Sequence, residues 1–575
     1  MKQKFLPLLL FTALLSVSCN TKNDIVDPLV STEKLLLLGN VITIDTATPR
    51  AEAIVVENGQ ISFVGSQAEA RKMCDAKTIV KDYGTASIYP GFTEGHTHGS
   101  LAAARFMQAD LTEINAKVET VMADFVEAMK KYMQEHPGLS IYKGSGWLVK
   151  DCEPNAGMLD AICPDVPMVL NSEDGHSMWL NTKALTHFGF DKEAVKKYGE
   201  DCIRVDSEGN PTGFISENPA IELLDKIAPD KKECREGLLM WQQKAFSQGI
   251  TAVTEAAVGL SNPLAEEVYQ ELCDEGVWKL RTYAVKIIDE SVPDEKLDSA
   301  LNRVLALRNK YNSEYYKVTG TKVFMDGVIE AHTGWLEEEY SDDPGYYGLK
   351  RCPDPNRVAR IVAFNNKNGM NVHFHSIGDA ATNTAIKGIV QAQAETGIKD
   401  GRNAIAHLQI VKPEVFKKMA DNNIIPIVAP LWLPKYPDEY PIYCRYIGDR
   451  AETEYPIKSF YDAGCLVNFH SDYPASNSFS MSQTIYIAIT RTSKEYGPET
   501  LHNPAECITR QQALEAMTIN VPYQWHEENR MGSITPGKLA NFAIYDTDFL
   551  QADPDAIWDA KIKATYVDGN VVYGE

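Results

Sequence analysis

Basic charge is scarce in this chain of 575 residues: 56 lysines and arginines stand against 79 aspartates and glutamates, a formal net charge of -23. No basic stripe is present to release counterions from a phosphate backbone, which argues against nucleic acid as a partner. The 11 cysteines contain no CxxC pair, so neither a zinc ribbon nor a dithiol redox centre is supported. They leave room for one or two disulfides, with Cys152 to Cys163 as a candidate pair. No short internal repeat or low-complexity tract occurs. Histidine is also thin, at 12 residues, which makes its placement informative.

A hydrophobic share of 44% and a charged share of 23% are those of an ordinary globular protein. The length is too great for one core, so two or three domains are expected. The N-terminal apolar run, Phe5 to Val17, follows Lys2 and Lys4 and is too short to span a bilayer. It reads as a secretory signal, and residues 1–19 resemble a lipoprotein signal with Cys19 as the lipidated residue, although Ser16 stands where Leu, Val or Ile is usual. An exported protein held to the membrane only through a lipid at Cys19 is the expectation.

Short strand-like runs open the rest of the chain, with Asn58-Gly59 as a hairpin turn, and the same texture returns at the end around Asp568-Gly569. Residues 31–85 and 530–575 are therefore expected to pair into one small β-sandwich domain. Between them, β-rich runs alternate with helical stretches. Strands are read at 86–96, 250–256, 280–287, 318–326, 371–376, 403–407, 424–428 and 465–472. Eight strands with crossover helices predict an α/β fold, a (β/α)8 barrel over 86–99 and 246–529. The long gap at 100–245 predicts an inserted cap subdomain after the first barrel strand.

Reactive groups of such barrels sit at the C-terminal ends of the strands. Here those ends carry His96 and His98 in "PGFTEGHTHGS", Lys322 in "TKVFMDG", His375 in "HFHSIGD", His407 in "AIAHLQ" and Asp472 in "HSDYP". In a strand, positions i and i+2 share a face, so the two imidazoles of "HTH" project together. Four histidines, a lysine and an aspartate on one barrel face describe a two-metal site. His373 shares the face of His375 and is an alternative ligand. His470 lies beside Asp472 and reads as a hydrogen-bonded core residue. His136, His187, His502 and His526 read as surface residues.

These motifs, with "GSITPGKLANFAIYD" and "SEDGHSMWLNTKAL", stand in the order and spacing of the amidohydrolase superfamily. The chain resembles its family 3 branch, which includes N-substituted formamide deformylases. That resemblance implies two divalent metal ions, zinc by family habit. His96 and His98 would bind the more buried ion and His375 and His407 the second. Lys322, carboxylated on its side-chain nitrogen, would bridge them, and Asp472 would shuttle the proton of a metal-bound water. The implied reaction is hydrolysis of a non-peptide C–N bond in a small molecule, a linear amide first. A cyclic amide, ester or carbamate hydrolase and a non-catalytic exported binding lipoprotein are the alternatives.

The substrate-facing loops depart from the family pattern at Glu255 in "VTEAA" and at His332 in "VIEAHTGW". With His176 of the insertion, they are the candidate substrate-binding residues. Barrel hydrolases often pair through their helices, and a homodimer is the corresponding expectation.

Overall fold

The computed structural model describes residues 34–574 apart from 113–120, 148–153, 173–176, 260–261 and 477. The signal segment, Cys19, Cys152 and His176 lie outside the described residues. Eight parallel strands form the central sheet: β1 (Phe92–Thr97), β2 (Ile250–Ala256), β3 (Arg281–Ile287), β4 (Tyr316–Phe324), β5 (Asn371–Ser376), β6 (Ala404–His407), β7 (Ile425–Val428) and β8 (Asn468–Phe469). Each pairs with its sequence neighbour. The chain leaving β8 closes on β1, where Asp472 N donates to the His96 carbonyl at 3.2 Å and His98 N to that of Tyr473 at 2.8 Å. The result is the barrel that eight strand-helix units predict.

The alternation of side chains explains both faces of the wall. On β5, Val372 and Phe374 join the main apolar core with the surrounding helices. Asn371, His373 and His375, on the alternate positions, therefore point into the lumen. The lumen carries polar columns: Asn371, His373 and His375 on β5, and Asn468, His470 and Asp472 on and after β8, beside an apolar cluster of Ala404, Ala406, Ile425 and Ile427. At its floor the side chains of Asn468 and Asn371 donate to the Gln524 side chain at 2.8 Å and carbonyl at 3.3 Å.

Several strand boundaries differ from the sequence reading: β8 covers 468–469 where 465–472 was expected, β4 covers 316–324 where 318–326 was expected, and the first strand is divided. Residues 86–96 are not a single strand, because the chain changes sheets at Gly91. Gly91 N donates to Asn541 O at 2.8 Å, in the outer sheet, and Phe92 N donates to Gly249 O at 2.9 Å, in the barrel. Partners switch between consecutive residues, so β1 begins at Phe92.

The two chain ends share one continuous seven-stranded sheet, in which Phe542–Tyr545 lies antiparallel to Ile79–Pro90. Its alternation is strict: Leu35, Leu37, Ile54 and Val56 enter one apolar cluster, and Leu36, Leu38, Ala53 and Val55 another. Asn58 and Asp568, the first turn residues of the two hairpins, take φ of 52° and 49°. That is the left-handed conformation a two-residue hairpin requires of Asn or Asp. The sheet is pinned to the barrel by Arg281, whose fully buried guanidinium donates to Asp568 Oδ1 at 2.7 Å and Oδ2 at 2.9 Å.

The insertion has its own six-stranded sheet, from Ala109–Asp110 to Pro211–Ser216, and a long helix, Val121–Glu135. Buried Trp147 and Trp179 fill its centre. It reaches the barrel through α1 (Gly99–Phe106), which follows β1 and lies against α2 (Lys231–Phe246), the helix that leads into β2. The nine described cysteines, Cys163 included, are free thiols. Among the described residues no helix is long and apolar enough to cross a membrane.

Candidate metal centre

The two histidines of "GHTHG" project together at the barrel mouth, and the flanking glycines have steric reasons. A Cβ on Gly95 would lie 2.6 Å from the Phe469 carbonyl, so a side chain there would push β8 off β1. A Cβ on Gly99 would lie 2.6 Å from Glu255 Oε2 and 2.4 Å from Trp241 Nε1. Glycine lets the start of α1 settle onto a buried carboxylate.

His96 Nε2 is the focus of the site. His98 Nε2 lies 3.4 Å from it, Lys322 Nζ 3.3 Å and Asp472 Oδ1 3.1 Å. His98 Nε2 is itself 3.2 Å from the same Asp472 oxygen. Ligand atoms of His96, His98 and Asp472 all lie within 4.8 Å of one another. Two imidazoles and a carboxylate converging so closely suit a divalent ion. Asp472 Oδ1 is buried without a hydrogen-bond partner, although it faces two imidazole nitrogens.

His407 continues the cluster, its ring centroid 5.0 Å from that of His96 and 4.5 Å from that of His375. His375 Nε2 lies 2.9 Å from the Gly327 carbonyl. A carbonyl accepts only, so this contact puts the ring proton on Nε2 and frees the Nδ1 lone pair for a ligand. His407 and Asp472 adopt φ of 83° and 59°. Such backbone is costly for non-glycine residues and concentrates at functional sites; here both residues leave the strand direction where the chain turns over the mouth.

Burial dominates the electrostatics. It pushes His375 down to about 3 and His470 down to about 4, and it holds His96, His373 and His407 well below the usual imidazole range. These rings are neutral, the form that ligates metals. Burial likewise pushes Lys322 down to about 7, against the opposing charge of Asp472. Burial alone would raise the Asp472 carboxyl, but His98 Nε2 beside it and the neighbouring imidazoles hold it below the usual carboxylate range.

Alternation along the strands identifies further residues of the site. Glu94, two residues before His96, accepts from Ser471 N at 2.7 Å and so ties β1 to the residue before Asp472. Burial pushes its carboxyl up to about 8. Asp326, four residues after Lys322, is fully buried and accepts from the backbone amides of Ile377, Gly378 and Trp335 at 3.0, 2.8 and 2.9 Å. The Trp432 ring is stacked on His407 at 5.4 Å, its Nε1 donating to Ser476 Oγ at 2.7 Å.

The candidate substrate residues fare differently. Glu255 is fully buried, with its carboxylate accepting from Ser100 Oγ at 2.8 Å, Ser100 N at 3.1 Å and Tyr269 OH at 3.0 Å. These contacts seat the start of α1 on the carboxylate. His332 bonds Asp342 at 2.8 Å among Tyr340, Tyr346 and Tyr446, and these contacts do not join the imidazole cluster. One surface expectation is overturned: His502 is 1% exposed, with its two ring nitrogens 2.8 Å from the Leu433 and Ala451 carbonyls. The loop after β7 folds over it, which local sequence does not reveal.

Residues 86–573 match the amidohydrolase family. The chain belongs to that family. It is 27% identical over 553 residues to the protein LONG AFTER FAR-RED 3 of Arabidopsis thaliana, covering 94% of this chain and 91% of that one. It is 23% identical over 559 residues to the N-substituted formamide deformylase of Arthrobacter pascens, covering 94% and 98%. In fold it resembles an uncharacterized metal-dependent hydrolase from Pyrococcus furiosus, with a TM-score of 0.72, 20% identity, and coverage of 90% of this chain and all of the other. This amidohydrolase is a hydrolase acting on C–N bonds other than peptide bonds, and its donor cluster suits a divalent ion.

Proposed function

We propose that this amidohydrolase cleaves a small linear amide with a pair of divalent ions, zinc first. The observation that carries the reading is the convergence of His98, Lys322 and Asp472 on His96 Nε2 within 3.1–3.4 Å. His96, His98 and Asp472 would hold one ion, and His375 and His407 the other. An ammonium cannot ligate, but an amine with its pKa at about 7 is half free at neutral pH and can take up carbon dioxide. The resulting carbamate of Lys322 has two oxygens and would bridge the ions. When bound, the metal pair activates water and polarises the scissile carbonyl.

The chain's own residues supply the rest. Asp472, ionised and aimed at the same focus, accepts the proton released from water and returns it to the departing amine nitrogen. The Trp432 ring walls one side of the mouth, and Glu94 and Glu255 keep Asp472 and His98 in place. Before this chemistry the chain would be exported on its signal and lipidated at Cys19. Turnover of a panel of linear amides, cyclic amides, esters and carbamates tests the reading. Linear amides should be preferred, and Asp472→Asn should lower turnover by about 10²-fold or more. Preference for another class would replace the substrate assignment, and unchanged turnover in Asp472→Asn would remove the mechanism.

A further inference from the structure

The lumen of the barrel holds imidazoles that the ligand set does not use, and one of them meets a ligand nitrogen at hydrogen-bond distance. His96 on β1 and His373 on β5 stand on opposite walls, four strands apart in the sheet order. Their rings meet across the lumen, with His96 Nδ1 2.7 Å from His373 Nε2 and the centroids 4.8 Å apart. The two nitrogens of His96 therefore have separate surroundings. Nε2 faces His98, Lys322 and Asp472. Nδ1 faces His373.

We infer that His373 is a positioning residue, an acceptor that fixes the tautomer and aim of His96 toward metal. The inference rests on the metal reading above. An imidazole that gives its Nε2 lone pair to a metal must carry its proton on Nδ1, and that proton needs an acceptor. Among the described residues the group placed to accept it is His373 Nε2, at 2.7 Å, which must then be unprotonated. A ligating histidine usually donates to a carboxylate, a carbonyl or water; here the acceptor is a second neutral ring. No carboxylate stands behind that ring, because His373 Nδ1 is buried without a partner. His373 is thus no ligand itself: its Nε2 is engaged by His96, and in the neutral ring its Nδ1 carries the proton. The contact also braces β1 against β5, so the first ligand of the site is held from the far wall.

The test is cobalt(II) binding to the full chain, read by chelator competition and by the visible absorption of the bound ion. His373→Leu removes the acceptor and keeps the volume apolar, whereas His373→Gln places an acceptor oxygen near the position of Nε2. Cobalt affinity should fall by about 10- to 100-fold in His373→Leu, with stoichiometry unchanged. His373→Gln should recover most of the loss and restore the parent's absorption. Parent-like affinity in His373→Leu would overturn the inference, and so would a fall in stoichiometry with no recovery in His373→Gln, which would make His373 a ligand. A parent chain that binds no cobalt would overturn the metal reading, an outcome distinct from a parent that binds and a leucine variant that binds equally well.

Discussion

Removing the Asp326 carboxylate should loosen two segments of the barrel mouth by an amount the geometry fixes. The side chain is fully buried and serves three backbone amides: Oδ1 takes Ile377 N, and Oδ2 takes Gly378 N and Trp335 N. Each buried amide left unpaired costs about 1–3 kcal/mol. Three of them in Asp326→Ala sum to roughly 3 kcal/mol at the low end, a figure that allows for water entering the gap. At about 1.4 kcal/mol per decade, local opening should become about 10²-fold more frequent. Asp326→Asn keeps one oxygen; placed at Oδ2 it still serves Gly378 and Trp335, and only the amide of Ile377 is lost. That variant should speed opening about fivefold, at the lower limit of about 1 kcal/mol for one unpaired group. Hydrogen exchange read on peptides covering 326–336 and 376–380 gives the answer segment by segment, since amides exchange through local openings. The order alanine, asparagine, parent is the expected result. Parent-like exchange of both segments in a folded Asp326→Ala protein would refute the reasoning. Because Gly327, which receives His375 Nε2, adjoins Asp326, metal affinity should follow the same order.

Three further outcomes are expected. Glu255→Leu should unseat the start of α1, costing about 1–3 kcal/mol for the Ser100 amide and hydroxyl and lowering metal affinity through His98; urea unfolding and chelator competition on one preparation check both. Lys322 binds fewer protons folded than unfolded between pH about 7 and 10.5, so its contribution to the stability of metal-free, carbon dioxide-free protein rises with pH across that window. The full swing is roughly 4–5 kcal/mol, and it should appear as a pH-dependent difference from Lys322→Met that is largest below pH 7. Asp568→Asn keeps a residue that tolerates left-handed backbone but removes the charge facing buried Arg281, and should cost about 2 kcal/mol, seen as a lower calorimetric midpoint.

Much of this architecture was legible in the chain because two local codes carry it. Apolar β-rich runs between helical stretches marked the barrel strands, and β2 and β5 fall at 250–256 and 371–376, as read. Turn chemistry at Asn58 and Asp568 marked both hairpins of the composite sheet. Strand ends then indicated His96, His98, Lys322, His375, His407 and Asp472, and the structure gathers them at one mouth. The rest depends on what meets across space. Alternation shows that His373 faces the lumen with His375, but not that the opposite wall presents His96 to it. A buried carboxylate such as Glu255 looks the same in sequence as one lining a pocket. The break at Gly91 follows from partners at Asn541 and Gly249, both far along the chain, and the burial of His502 from a loop folded over it.

The central claim is a metal pair bridged through Lys322, and the most direct measurement is metal content per chain, in parent and in Lys322→Ala, after purification without chelator. About two equivalents are expected in the parent, with a clear fall in the variant. About one equivalent, unmoved by the substitution, would contradict the bridge. None at all, even with metal resupplied, would contradict the centre itself.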